Sequence, residues 1–70
     1  MQKEIRSAIE LADIVIQRLG VEDVSILVRP DNMYGWNAFA MSIPETEPHI
    51  HAKVQRAVEQ LRKAYEIEAP

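Results

Sequence analysis

The chain contains no cysteine, which excludes disulfide staples and thiolate metal sites. It has only two glycines, and neither belongs to a phosphate-cradling loop, a dinucleotide fingerprint or a nucleophile elbow. Basic residues are not in excess: 8 Lys and Arg stand against 11 Asp and Glu, a net charge of −3. Such a chain lacks the broad positive field that draws a protein onto nucleic-acid phosphates. No apolar run approaches the ~18–20 residues that a membrane span needs. The first apolar stretch is interrupted by Glu10 and Asp13, so it does not read as a secretory leader. Aromatic residues are scarce as well, with one Trp, one Phe and two Tyr.

What is present is globular in character, 47% hydrophobic and 27% charged. Seventy residues, Met1–Pro70, make one domain. A chain of this size buries only ~60% of its unfolded surface. Its core supplies no more than ~3–5 kcal/mol as a rule. With disulfides and thiolate metals excluded, association is the remaining source of stability.

Val24 to Ile43 is the organising stretch. Two runs rich in β-forming residues flank a polar connection, Pro30 to Gly35, the pattern of a β-hairpin with more than a tight two-residue turn. The first strand is expected over Val24–Arg29, ended by Pro30, and the second over Trp36–Ile43. Alternation places Val24, Ile26 and Val28 on one face of the first, and Trp36, Ala38 and Ala40 opposite Asn37, Phe39, Met41 and Ile43 in the second. Both faces are partly apolar, unlike a sheet with one solvated side.

Helical spacing precedes and follows the hairpin. A first helix is expected over Lys3–Leu19, stopped by Gly20, with Arg18 complementing the dipole of the last turn. Ile5, Ala8, Ile9, Ala12, Ile16 and Leu19 form its core stripe, and Leu11 and Val15 widen it. Ile14 lies among Lys3, Glu10, Gln17 and Arg18. The whole apolar arc covers roughly 220°, about twice what one core requires. That excess points to a second contact through Leu11, Ile14, Val15 and Arg18 on a symmetry mate, preferred over the other two-fold solution, pairing of two hairpins into a four-stranded sheet; the competing reading is a helix sunk between the sheet and the second helix. A second helix is expected over Glu47–Glu66, capped by Thr46, with Ile50, Val54, Ala57, Val58, Leu61, Ala64 and Tyr65 inward.

Candidate chemistry is thin. His49 and His51, two apart at a helix start, point about 200° away from each other and do not chelate one metal. Asp31, Glu45 and Glu47 have no partner at a spacing suited to acid–base work. The loop with Arg29, Asp31, Asn32, Tyr34 and Trp36 is the most distinctive local feature. Tyr and Trp offer large contact area with little rotamer entropy to lose, and Arg binds carboxylate or phosphate bidentately. The competing reading of this loop is structural, a turn at Pro30–Asn32 with Trp36 closing one end of the core. RNA-binding modules of similar element order carry a lysine cluster entering the last helix or a G-x-x-G loop. Here Lys53 stands alone in P-H-I-H-A-K, and Arg56, Arg62 and Lys63 are interleaved with Glu59 and Glu66.

The sequence therefore predicts an α+β domain of order α-β-β-α, an antiparallel hairpin packed on two helices and completed by homodimerisation. The expected function is a small non-enzymatic protein-interaction or adaptor module of a prokaryotic cytoplasm, without cofactor or metal. Its partners are a second copy and another protein; nucleic acid is disfavoured and no membrane is involved. The alternatives are a nucleic-acid-associated regulator and a small-ligand carrier with its pocket between the first helix and the Ala38–Ala40 face.

Overall fold

The computed structural model of the chain describes residues 3–21, 23–33, 35–42 and 48–68. The fold is α+β. Its elements in order are β1 (Glu4–Arg6), α1 (Ala8–Leu19), β2 (Ser25–Asp31), β3 (Gly35–Ser42), α2 (Ile50–Leu61) and β4 (Tyr65–Ile67). The expected α-β-β-α series forms the middle, and a short strand is added at each end. β1 and β4 pair in parallel, Glu4 beside Tyr65 and Arg6 beside Ile67, so the whole series between them is the crossover. Hydrogen bonds from Glu4 N to Ala64 O (2.9 Å) and from Glu68 N to Arg6 O (2.8 Å) extend that pair. The Arg6 guanidinium lies 5.8 Å from the Tyr65 ring centroid and 2.7 Å from Glu4.

The first helix starts later than its apolar spacing implies, because Ser7 caps it. The Glu10 N–H donates to Ser7 Oγ (3.2 Å) and the Ser7 N–H donates to Glu10 Oε1 (3.1 Å), a reciprocal capping box. The Ser7 N–H, and then the Ser7 hydroxyl, hold the Glu10 carboxyl below its ordinary pKa. At the other end Gly20 adopts φ 66° and donates to Ile16 O, ending α1 where expected.

Removing residues 3–7 from the helix turns its buried face. Leu11 and Val15 are fully buried, with Ala8, Ala12, Ile14 and Leu19 packed beside them, whereas Ile9 is 83% exposed and Ile5 lies in β1. The Leu11–Val15 direction lies roughly 120° round the helix from the Ile5–Ile9–Ile16 line. α2 buries Ile50, Val54, Ala57, Val58 and Leu61 as its spacing predicts. It ends at Leu61 rather than Glu66, tightened by hydrogen bonds from Lys63 N to Gln60 O and Ala64 N to Leu61 O. Thr46, the expected cap, lies outside the described residues.

The hairpin pairs Leu27 with Phe39, Val28 with Ala38, and Pro30 with Trp36, with Met41 as an extra residue at a bulge near Ser25. β2 therefore runs through Pro30 to Asp31 rather than stopping before it. A strand accepts a proline where its nitrogen faces away from the ladder. α1 packs on β2, α2 on β3, and the helices touch each other, both on one side of the hairpin. Between them Leu11, Val15, Trp36, Ala38, Ile50, Val54 and Val58 close a core in which Trp36 is the largest side chain. The small Ala38 lets α2 approach the strand closely.

Candidate functional site

Among the described residues of the 29–36 loop, the expected recognition residues differ in exposure. Trp36 is 1% exposed, its indole N–H donating to Tyr65 O at 3.1 Å, so it belongs to the core and is unavailable to a partner. Asp31 Oδ1 accepts from the Met33 N–H at 2.7 Å, which shapes the turn. Gly35 takes φ 91°, a conformation that L side chains rarely adopt. Arg29 and Asn32 are exposed, and Arg29 stands opposite Asn37 on the outer face of the hairpin. Tyr34 lies outside the described residues. Met33, at the tip, is 82% exposed.

The expected helix-1 interface is likewise corrected. Leu11 and Val15 have no exposed surface, because the chain's own hairpin and α2 occupy that face. Ile14 packs against the same core, which explains an isoleucine among charges without a second chain. Arg18 is exposed and donates to Gln60 Oε1 on α2. The surplus apolar surface of α1 lies elsewhere, at Ile9. Ile9 and the half-buried Ile16 sit roughly 160–180° round the helix from Arg18. Ile9 lies roughly 140° round the helix from the direction of the buried Leu11 and Val15, on the outward side of α1.

The two edges of the hairpin are unequal. On β3 three of the outward polar groups have side-chain partners. Arg62 Nε donates to Trp36 O at 2.8 Å, Gln55 Nε2 reaches Ala38 O at 3.5 Å, and Ala38 N–H donates to Asn37 Oδ1 at 2.9 Å. α2 therefore shields this edge with side chains instead of a third strand. Residues opposite each other in an antiparallel ladder face the same way, both toward the partner strand or both outward. The partners of Ala38 and Ala40 are Val28 and Ile26, so the N–H and C=O groups of Ile26 and Val28 point out from the other edge. Among the described residues nothing pairs with that edge of β2.

The side of the hairpin away from the helices carries Leu27, Phe39 and Met41. Phe39 is 46% and Met41 66% exposed, and no other element covers them among the described residues. The strand edge, the outward side of α1 at Ile9 and this face are unpartnered among the described residues.

Among the described residues, chemistry-bearing groups do not converge. His49 and His51 are both exposed at the start of α2, and no group of three His, Cys, Asp or Glu capable of holding a metal occurs among the described residues. The space between α1 and the Ala38–Ala40 face, the expected carrier pocket, is filled by Leu11, Val15 and Trp36. Two shallow clefts flank α2. One is lined by Asn37, Gln55, Glu59, Arg62 and Lys63, the other by Arg18, Leu19, Lys53, Arg56, Ala57 and Gln60. Among the described residues no helix is long and apolar enough to cross a membrane.

Comparison with known proteins finds no matching family model, no significantly similar curated protein and no significantly similar solved structure.

Proposed function

We propose that the chain is a non-enzymatic protein-interaction module that works as a homodimer joined along β2. The observation that carries this is the asymmetry of the hairpin: α2 side chains reach the edge of β3, while the outward N–H and C=O groups of Ile26 and Val28 on β2 have no partner among the described residues. A two-stranded sheet is marginal in water, and an unpaired edge is a template for another strand. A two-fold axis running antiparallel copies of β2 side by side makes one four-stranded sheet, β3-β2-β2-β3, with its outermost edges already shielded. We place Ile9, exposed on α1, in the contact between the two copies as well. Pro30 removes one donor from the edge and limits the pairing to the Ile26–Val28 stretch, which restrains open-ended association.

Such a dimer doubles the outer face. Leu27, Phe39 and Met41 from two hairpins form one apolar strip, rimmed by Arg29, and here we place the contact with a partner protein. Thioether and aromatic side chains together suit a surface that adapts to the shape it meets. The net charge of −3 keeps nucleic acid the weaker reading. Sedimentation equilibrium tests the first step. A species of twice 8.0 kDa that dissociates on dilution is expected; a single 8.0 kDa species at all concentrations contradicts the proposal.

A further inference from the structure

We propose that the homodimer described above, on which this rests, has one register: Leu27 stands opposite the partner's Leu27, and the outer apolar face is complete only across that two-fold axis. Parity limits the choice. Ile26, Val28 and Pro30 lie opposite Ala40, Ala38 and Trp36, so their backbone polar groups face out from β2, while those of Leu27 and Arg29 face β3. A two-fold axis at this edge must pair outward residues with outward residues. Centred on Ile26, it sets Val28 opposite Val24, which lies outside β2. Centred on Val28, it sets Ile26 opposite Pro30, whose missing N–H leaves the Ile26 C=O without a donor. Centred on Leu27, it sets Ile26 opposite the partner's Val28 and Val28 opposite the partner's Ile26. Every outward N–H and C=O of those two residues is then hydrogen-bonded. Shifts further in either direction engage fewer of them.

The side chains choose the same register. On the outer face a Leu27 centre places the two leucines side by side and each Arg29 beside the partner's Ser25. A Val28 centre would instead place Leu27 against a guanidinium, and an Ile26 centre would place it against a hydroxyl. Leu27 is half-buried and pairs with Phe39, which is 46% exposed, on the neighbouring strand. The row across four strands therefore reads Phe39, Leu27, the partner's Leu27, the partner's Phe39. It is about 14 Å from end to end at ~4.8 Å between strands. Either copy alone supplies half of it. The two exposed Arg29 side chains fall on opposite sides of this row, one from each copy.

Disulfide trapping tests the register. The chain has no cysteine, so every disulfide reports an introduced position. Opposite residues of a non-hydrogen-bonded antiparallel pair are ~4.5 Å apart at Cα, within the ~4.4–6.8 Å range of disulfides. Leu27→Cys, Ser25→Cys and Arg29→Cys are each treated with oxidised glutathione, and covalent dimer is read on non-reducing gels. Leu27→Cys should link at least about tenfold faster than either of the others, whose own copies lie roughly 13 Å apart in this register. Ser25→Cys mixed with Arg29→Cys should give the heterodimer. Both of those positions are exposed and both chains keep Leu27, so this pair decides even where Leu27→Cys weakens the assembly. Sedimentation of the wild type runs alongside. A dimer in which Leu27→Cys links fastest to Arg29→Cys, or to Ser25→Cys, overturns the register and leaves the homodimer standing. So does a dimer in which neither Leu27→Cys alone nor the mixed pair links. A wild type that stays monomeric overturns both.

Discussion

Ile9 separates what holds the chain together from what joins two copies. It is 83% exposed, so within one chain it contributes little to stability. Fully burying an isoleucine is worth roughly 1.5–3 kcal/mol, and the exposed fraction leaves roughly 1.2–2.5 kcal/mol to be gained on association. A two-fold interface counts the residue twice, about 2.5–5 kcal/mol in all if burial is complete. Ile9→Gln keeps a good helix former and removes that term. The dimer dissociation constant should therefore rise by roughly 60-fold or more, at 1.4 kcal/mol per factor of ten. Urea unfolding of the dilute monomer should barely change. Leu11→Ala, two positions on, is the contrast. It empties a fully buried site and should cost ~2–5 kcal/mol at every concentration. Sedimentation equilibrium and urea melts at two concentrations read both variants. An Ile9→Gln dimer as tight as wild type would place the contact elsewhere, and a destabilised Ile9→Gln monomer would show that this face of α1 is buried within the chain.

Further expectations concern the ends of the elements. Ser7→Ala removes the reciprocal cap of α1 and should lower the melting temperature. Because Glu10 has a lowered pKa in the fold, its contribution is present above the ordinary carboxylate pKa and is lost as pH falls through the lowered value; the variant should show a flatter acid limb in urea melts. Arg62→Met deletes the donor to Trp36 O and should cost about 1.5–3 kcal/mol, with faster exchange of the β4 amides by NMR. Pro30→Val restores an N–H to the open edge and should tighten self-association, seen as a lower dissociation constant by sedimentation.

Much of the fold was legible because its signals are local. The hairpin faces follow from period-two alternation, and the core of α2 from Ile50, Val54, Ala57, Val58 and Leu61 at helical spacing. The terminal strands were harder. Ile5 fits the helical period of α1, and three-residue strands carry almost no period of their own. Two cues existed: Ser7-Ala8-Ile9-Glu10 is a capping-box pattern that starts a helix at Ala8, and Tyr65-Glu66-Ile67 alternates. Reading Lys3–Arg6 as helix turned the inferred core face toward Ile9 and made Leu11, Ile14 and Val15 look surplus. The surplus was real, but it lay on Ile9. The inequality of the strand edges was not legible at all. It depends on Gln55 and Arg62 reaching across from α2 to the carbonyls of β3, contacts between residues 17 and 26 positions apart. The cleft between the helices is likewise tertiary, since Arg18 and Leu19 meet Lys53 and Arg56 only when the helices pack.

Amide hydrogen exchange at Ile26 and Val28 probes the open edge of β2 most directly. Their N–H groups face outward and have no partner within the chain among the described residues. In a dimer paired along β2 they are hydrogen-bonded to the second copy. Their exchange should slow markedly as protein concentration rises, while Leu27, which faces β3, stays protected throughout. Rapid exchange of Ile26 and Val28 at every concentration, with Leu27 protected, would contradict pairing along this edge.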